Sequence, residues 1–120
     1  MPEHAELPLL ETRLFTLHPG VRAEFDRISR EETIPLMRRF GITVLMFGPC
    51  LNDENGYFLM RTFPSEAARV ELAQAFYASA EWEANYDGPV TAMIADYRTA
   101  VVPATGDAVK CLVDAAERVG

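Results

Sequence analysis

Segments of two-residue hydrophobic alternation and segments of helical periodicity follow one another in the order β-α-β-β-α-β. This order predicts an α+β domain with a four-stranded antiparallel sheet and its helices on one face. Three observations support it. LLETRLFTL runs straight into His18-Pro19-Gly20, a strand meeting a helix start. ITVLMF and YFLMRTF flank a turn rich in Gly, Pro and Asn, which is a hairpin signature. A second helical stretch after Phe63 then leads into a last strand-like run ending at Val102.

Each element has its own justification. Residues 9–17 alternate, so Leu9, Glu11, Arg13, Phe15 and Leu17 share one face and Leu10, Thr12, Leu14 and Thr16 the other. A helix is predicted over 20–40 on the stripe Val21, Phe25, Ile28, Leu36 and Phe40. Pro19 suits its start, where a missing N–H needs no partner. Pro35 lies inside it and is expected to kink or split it near Thr33. Gly41 suits the position just past a helix end. Residues 42–47 are continuously apolar, which predicts a strand buried on both faces. Residues 48–56 form a turn with Asn55-Gly56 as its strongest signal, and 57–63 the returning strand.

Ser65 is placed as the cap of a second helix, with Val70, Ala73 and Tyr77 on one face. Ser79 caps a short further helix carrying Trp82 and Tyr86, which Asp87-Gly88-Pro89 is expected to end. Residues 91–102 are the last strand. Asp107 is placed as the cap of a final helix along Val109, Leu112, Ala116 and Val119. Together these make a ferredoxin-like arrangement with an extra C-terminal helix. The expected divisions are a tail over 1–8, the domain over 9–102 and a helical extension over 103–120.

Composition narrows the function classes. A chain of 120 residues suits one domain with a real core. Hydrophobic residues at 49% and charged residues at 24% are ordinary for a globular domain. A net charge of −7 argues against nucleic acid as a partner, since phosphate binding needs clustered cations. Arg38-Arg39, at a predicted helix end, favours the helix dipole instead. Cys50 and Cys111 are far apart, have no metal-ligand spacing and fit reduced thiols. MPEHAELP lacks the basic start and apolar run of a signal peptide, and no apolar run approaches the ~20 residues that span a bilayer. The cytoplasm is therefore the expected location, with no membrane partner.

Helices cover only one face of such a sheet, and here neither face is polar. Leu9, Phe15 and Leu17 flank Glu11 and Arg13, and Leu59 and Phe63 flank Arg61. Sheet-to-sheet homodimerisation is the expected solution.

LLETRLFTLHPG, the helix with EETIPLMRRFGI, the strand ending in FPSEAAR and the segment YASAEWEAN, in that order, resemble the NIPSNAP family. That family belongs to the dimeric α/β-barrel superfamily of ferredoxin-like proteins. The resemblance covers residues 9–102 and leaves out the final helix. It implies two subunits pairing their sheets into a barrel, with helices outside and a pocket between. It does not imply a reaction. More distant superfamily members are cofactor-free monooxygenases, haem-degrading oxygenases, isomerases and polyketide cyclases.

The candidate site residues follow from this frame. On a barrel-facing side, Arg13 would bind an anionic or enolic oxygen, and Glu11 would serve as a base if desolvation raised its pKa. The competing reading is a structural ion pair, extended by Arg61, that fixes strand register or the dimer. Tyr57, Arg61 and Tyr97 would line the same pocket and orient a ligand, against the reading of packed tyrosines with one hydroxyl partner each. Trp82, Asn85 and Tyr86 supply the residue types that serve the pocket of antibiotic-type monooxygenases, without a matching spacing, and Trp82 as core anchor is the alternative. His18, at the strand–helix junction, is placed as a base or ligand at the barrel mouth, against a capping or surface role. The first strand has no Asn and the later chain no His, which haem-degrading relatives would need. A phosphate-binding Gly-rich loop, a Gly-x-Ser-x-Gly elbow and a zinc-type cluster are absent from the sequence. No cofactor and no metal are expected.

The expected function is a homodimeric pocket protein that binds a small apolar or aromatic metabolite. A cofactor-independent oxidation, isomerisation or cyclisation is the chemistry such a pocket would support. The alternative is a non-catalytic dimeric protein-interaction module.

Overall fold

The structure, a computed structural model, describes residues 7–119. The expected tail over 1–8 lies outside the described residues except for its last two. Strand β1 (Leu9–Leu17) is central and antiparallel to β3 (Gly56–Phe63) on one side and β4 (Ile94–Pro103) on the other. Strand β2 (Thr43–Pro49) pairs with β3, giving the order β2-β3-β1-β4. The fold is α+β and ferredoxin-like, and the bounds of β1 agree with the alternation in the sequence.

Between β1 and β2 the chain forms helix α1 (Arg22–Ile28), a π-helical turn (Ser29–Thr33) and helix α2 (Ile34–Arg39). The predicted single helix over 20–40 is thus split where Pro35 was expected to split it. Pro35 has no N–H for the i−4 carbonyl, and the widened turn absorbs the mismatch just before it. Gly41 takes φ of 87°, open to glycine at little cost, and its N–H donates to Arg38 at 3.0 Å.

Helix α3 (Glu66–Tyr77) is capped by Ser65, whose hydroxyl accepts from Ala68 N–H at 3.1 Å. Helix α4 (Ala80–Asn85) is capped by Ser79 in the same way, from Trp82 N–H at 3.2 Å. Val70 points outward and is exposed; Phe76 is the fully buried residue of α3. Asp87-Gly88-Pro89 does not stop helical structure. It opens helix α5 (Asp87–Met93), with Pro89 in the first turn, where proline is tolerated. The last strand therefore starts at Ile94 rather than Thr91. The final helix α6 (Gly106–Val119) is present, but Thr105 caps it: its hydroxyl accepts from Ala108 N–H at 3.2 Å. Asp107 sits in its first turn.

Two further expectations are corrected. Strand β2 is an edge strand with Thr43 and Met46 exposed, so it is not buried on both faces. Its apolar continuity serves the inner face through Val44 and Phe47, and a bulge after Val44 also buries Leu45. The second concerns only what holds the hairpin loop: the Asn55-Gly56 turn is present, with Gly56 N–H donating to the Asp53 carbonyl at 3.0 Å, and Arg22 clamps the loop from outside. Arg22 Nη1 donates to the carbonyls of Cys50, Asp53 and Gly56 at 3.1, 2.6 and 3.2 Å.

The face that carries Glu11 and Arg13 is the one the helices cover, not the one left for a partner sheet. Period two places both charges with Phe15 and Leu17, opposite Arg61, Leu59 and Tyr57 of β3. This face holds the larger rings, and they form one core with Phe25, Leu36, Phe76 and Trp82. The opposite face bears Leu10, Leu14, Met46, Phe58, Met60 and Val102, of which Leu14 is 51% exposed. Phe76 meets the rings of Phe40, Tyr77 and Trp82 at 4.8–5.5 Å. Phe76→Ala is expected to cost about 3–5 kcal/mol in urea unfolding at neutral pH.

Candidate functional site

Glu11 and Arg61 face each other across the β1–β3 register, and both are fully buried. Arg61 Nε donates to Glu11 Oε1 at 2.7 Å, and Arg61 Nη2 lies against the same oxygen. The second oxygen, Oε2, accepts from Arg69 Nη1 of α3 at 3.1 Å. Arg69 is shared with Glu66, whose carboxylate, with that of Glu11, raises the arginine's pKa. Arg13 stands 3.9 Å from Oε1 and makes no hydrogen bond to it. One buried carboxylate thus faces three guanidinium groups, and the two nearer ones take up both its oxygens. Arg13 carries the charge that is left over.

Arg13 turns instead to aromatic partners. Its Nη1 donates to the Tyr77 hydroxyl at 3.2 Å, and its guanidinium lies 5.7 Å from both the Tyr77 and Tyr97 rings. This geometry is favourable for a cation over π faces. Its side chain keeps about a fifth of its surface exposed and lines a cavity of about 350 Å³ between the sheet and helices α1 to α5. The volume lies near the small end of ligand sites. Phe15, Phe25, Trp82, Val90 and Ile94 make its walls apolar, with the hydroxyl-bearing Ser29, Thr33 and Thr91 between them. The π-helical turn brings Ser29 and Thr33 onto the same wall.

The expected site residues divide cleanly. Arg13, Tyr57, Tyr97 and Trp82 line the cavity; Glu11, Arg61 and His18 do not. Glu11 and Arg61 are hydrogen-bonded to each other and lie outside the lining. His18 is exposed past the end of β1, where its backbone N–H donates to Met93 at 2.9 Å. It stays outside because the chain turns away from the sheet at that residue. Tyr57 is buried, and its hydroxyl donates to Asp26 at 2.6 Å. Burial and the adjacent Asp26 carboxylate push its phenol well above the ordinary range. Trp82 is both core anchor and cavity wall: it packs on Phe76 and Tyr77, and its indole N–H donates to Asp87 at 3.2 Å.

Sequence reasoning missed Tyr77 and Asp87 as pocket residues. Tyr77 was legible only as a helix-face position, and Asp87 as a helix breaker. Among the described residues no cluster of His, Cys, Asp or Glu is arranged to hold a metal ion. No helix among them is long and apolar enough to cross a membrane. Cys50 and Cys111 are both free thiols.

No protein-family model and no curated protein sequence matches the chain. Solved structures do match it. A NIPSNAP family protein from Agrobacterium tumefaciens superposes with a TM-score of 0.76 at 16% identity, over 86% of this chain and 90% of that one. An uncharacterised NIPSNAP-like domain protein from Burkholderia xenovorans gives 0.76 at 14% identity, over 84% and 88%. The fold is NIPSNAP-like. A candidate antibiotic biosynthesis monooxygenase from Nitrosomonas europaea shares it more distantly, with a TM-score of 0.65 at 12% identity, over 84% and 96%. At these identities the likeness carries the NIPSNAP-like architecture and no activity.

Two outcomes follow from the charges. Glu11→Ala leaves Arg61 buried without its partner and is expected to lower stability by about 3–5 kcal/mol. Arg13→Ala, which breaks no close ion pair, is expected to cost only about 1 kcal/mol in the same urea titration. For Tyr57, the folded pKa is raised, so its contribution is present below the unfolded value of about 10 and is lost as pH rises from there toward the folded one. Tyr57→Phe is expected to flatten the decline of stability above about pH 10 by up to about 1.4 kcal/mol per pH unit, read from urea titrations in alkaline buffers.

Proposed function

We propose that the protein is a homodimeric pocket protein that binds a small aromatic metabolite bearing an acidic or enolic oxygen. The observation that supports this best is Arg13, whose nearest carboxylate, Glu11 at 3.9 Å, is hydrogen-bonded to Arg61 and Arg69 instead, and which lines an aromatic-walled cavity. Such a group recognises an anionic oxygen, and the rings beside it recognise a flat apolar body. Held against a guanidinium, an enol or phenol is favoured in its deprotonated, electron-rich form. That form is the starting point for oxidation, isomerisation or cyclisation without a cofactor, and this is the chemistry we assign to the pocket. The two free thiols fit a cytoplasmic setting.

The dimer rests on the uncovered face of the sheet. Leu14, Met46 and Val102 are 51%, 48% and 47% exposed there, with Leu10, Phe58 and Met60 between them. A second copy presenting the same face would bury this apolar surface symmetrically. The non-catalytic interaction module is the weaker reading, because it calls for a filled interior with Arg13 fully paired.

Native mass spectrometry of the purified chain tests both parts. A dimer retaining an aromatic acid or enol is the expected result, and a clean monomer would overturn the assembly. Leu14→Glu is expected to shift the mass to that of a monomer. Arg13→Ala is expected to keep the dimer and weaken an aromatic acid by tenfold or more, measured by calorimetry.

A further inference from the structure

The cavity has a second pole. Arg13 and Asp87 are the two formally charged residues in its lining, and they come from different elements: Arg13 from β1 of the sheet, Asp87 from the first residue of α5. Asp87 is exposed, but its carboxylate is held. Its Oδ1 accepts from the Trp82 indole N–H at 3.2 Å, and its Oδ2 makes no hydrogen bond among the described residues. A continuous aromatic wall joins the two poles. Arg13 bonds the Tyr77 hydroxyl, the Tyr77 ring meets Trp82 edge-on at 5.1 Å, and Trp82 bonds Asp87.

A cation and an anion set two rings apart along an apolar wall specify more than an aromatic acid. We propose that Asp87 is a specificity-determining residue, and that the ligand is an aromatic acid or enol that also carries a hydrogen-bond donor at its far end. The donor is a hydroxyl or amine that Asp87 Oδ2 accepts. The inference rests on the pocket reading given above for Arg13 and deepens it. A ligand with the acid alone would leave Asp87 facing an apolar edge, and one with two acids would place like charges together at the rim. A hydroxylated or aminated ring system of one or two rings satisfies both poles at once. The indole N–H makes Trp82 the positioning residue for Asp87. A hydrogen bond to a charged acceptor is expected to favour such a ligand by roughly tenfold.

The test compares three probes by isothermal titration calorimetry on the intact chain: naphthoate, a naphthoate bearing a hydroxyl on the far ring, and naphthol. Quenching of the single tryptophan, which lines the cavity, shows that a probe occupies this site. Expected is a roughly tenfold preference for the hydroxynaphthoate over naphthoate. Asp87→Ala should abolish that preference and leave naphthoate bound as tightly as before or more so. Arg13→Ala should weaken both acids and spare naphthol. Trp82→Phe, which also alters a cavity wall, should lower affinity for the hydroxynaphthoate more than for naphthoate, since it frees the Asp87 carboxylate to rotate. Equal affinity of the two acids for the unaltered chain, or a preference that survives Asp87→Ala, would overturn the role of Asp87 and leave the pocket reading standing. Failure of both acids to bind, or tighter binding of naphthol than of either acid, would overturn the pocket reading and this inference with it. Asp87 is exposed, so its variant is expected to fold, and far-ultraviolet circular dichroism checks that.

Discussion

The two oxygens of Glu11 decide what the covered side of the sheet can do. One is taken by Arg61 from the neighbouring strand, the other by Arg69 from α3. The cluster therefore ties β1 to β3 and ties the sheet to a helix laid over it. Desolvating a carboxylate and a guanidinium costs several kcal/mol each, so the close contact with Glu11 is what makes Arg61 tolerable in the core, even with its Nη2 left without a hydrogen bond. Because both oxygens are used, the third guanidinium has nowhere to go but the aromatic side. The structural ion pair and the pocket cation are two parts of one allocation, with Arg61 and Arg13 taking different roles on adjacent strands.

The aromatic groups complete that division. Phe76, Trp82 and Tyr77 pack edge-on or tilted between α3, α4 and the sheet, and two of these core rings, Trp82 and Tyr77, also bound the cavity. Trp82 is thus neither purely an anchor nor purely a site residue. Tyr57 is similar: its ring is buried against Phe25 at 4.9 Å, and its hydroxyl is committed to Asp26 on α1. The cavity walls are held by hydrogen bonds at the ends of packed rings.

Much of this was legible in the sequence wherever the signal is local. The alternation of 9–17 set the parity of Glu11 and Arg13, Ser65 and Ser79 announced their helices, and Gly41 and Pro35 marked an end and a break. What was not legible depends on the third dimension. Both faces of β1 carry apolar residues, so alternation paired Glu11 with Arg13 correctly but did not say which face the helices would cover. Nothing local says that the apolar run 42–47 lies at an edge, because edge position depends on pairing order. Asp87-Gly88-Pro89 has the composition of a stop, and only the packing of Val90 and Met93 against the core turns it into a start. Asp87 as a pocket residue follows from that reversal and from the reach of a tryptophan five positions earlier.

The widened turn over Ser29–Thr33 and the strand before it respond in opposite ways to a change of length. A π-helical turn holds one residue more than the α-helix around it, and the helices on either side keep their faces. Loss of a single residue there would convert the turn to ordinary helix and retract a hydroxyl from the cavity wall while the rest of the domain kept its contacts. The same loss within β1 would exchange the two faces of the sheet for every residue beyond it. The interior shape of the cavity is therefore open to gradual remodelling at the helix, whereas the charge arrangement beneath it is locked by the strand.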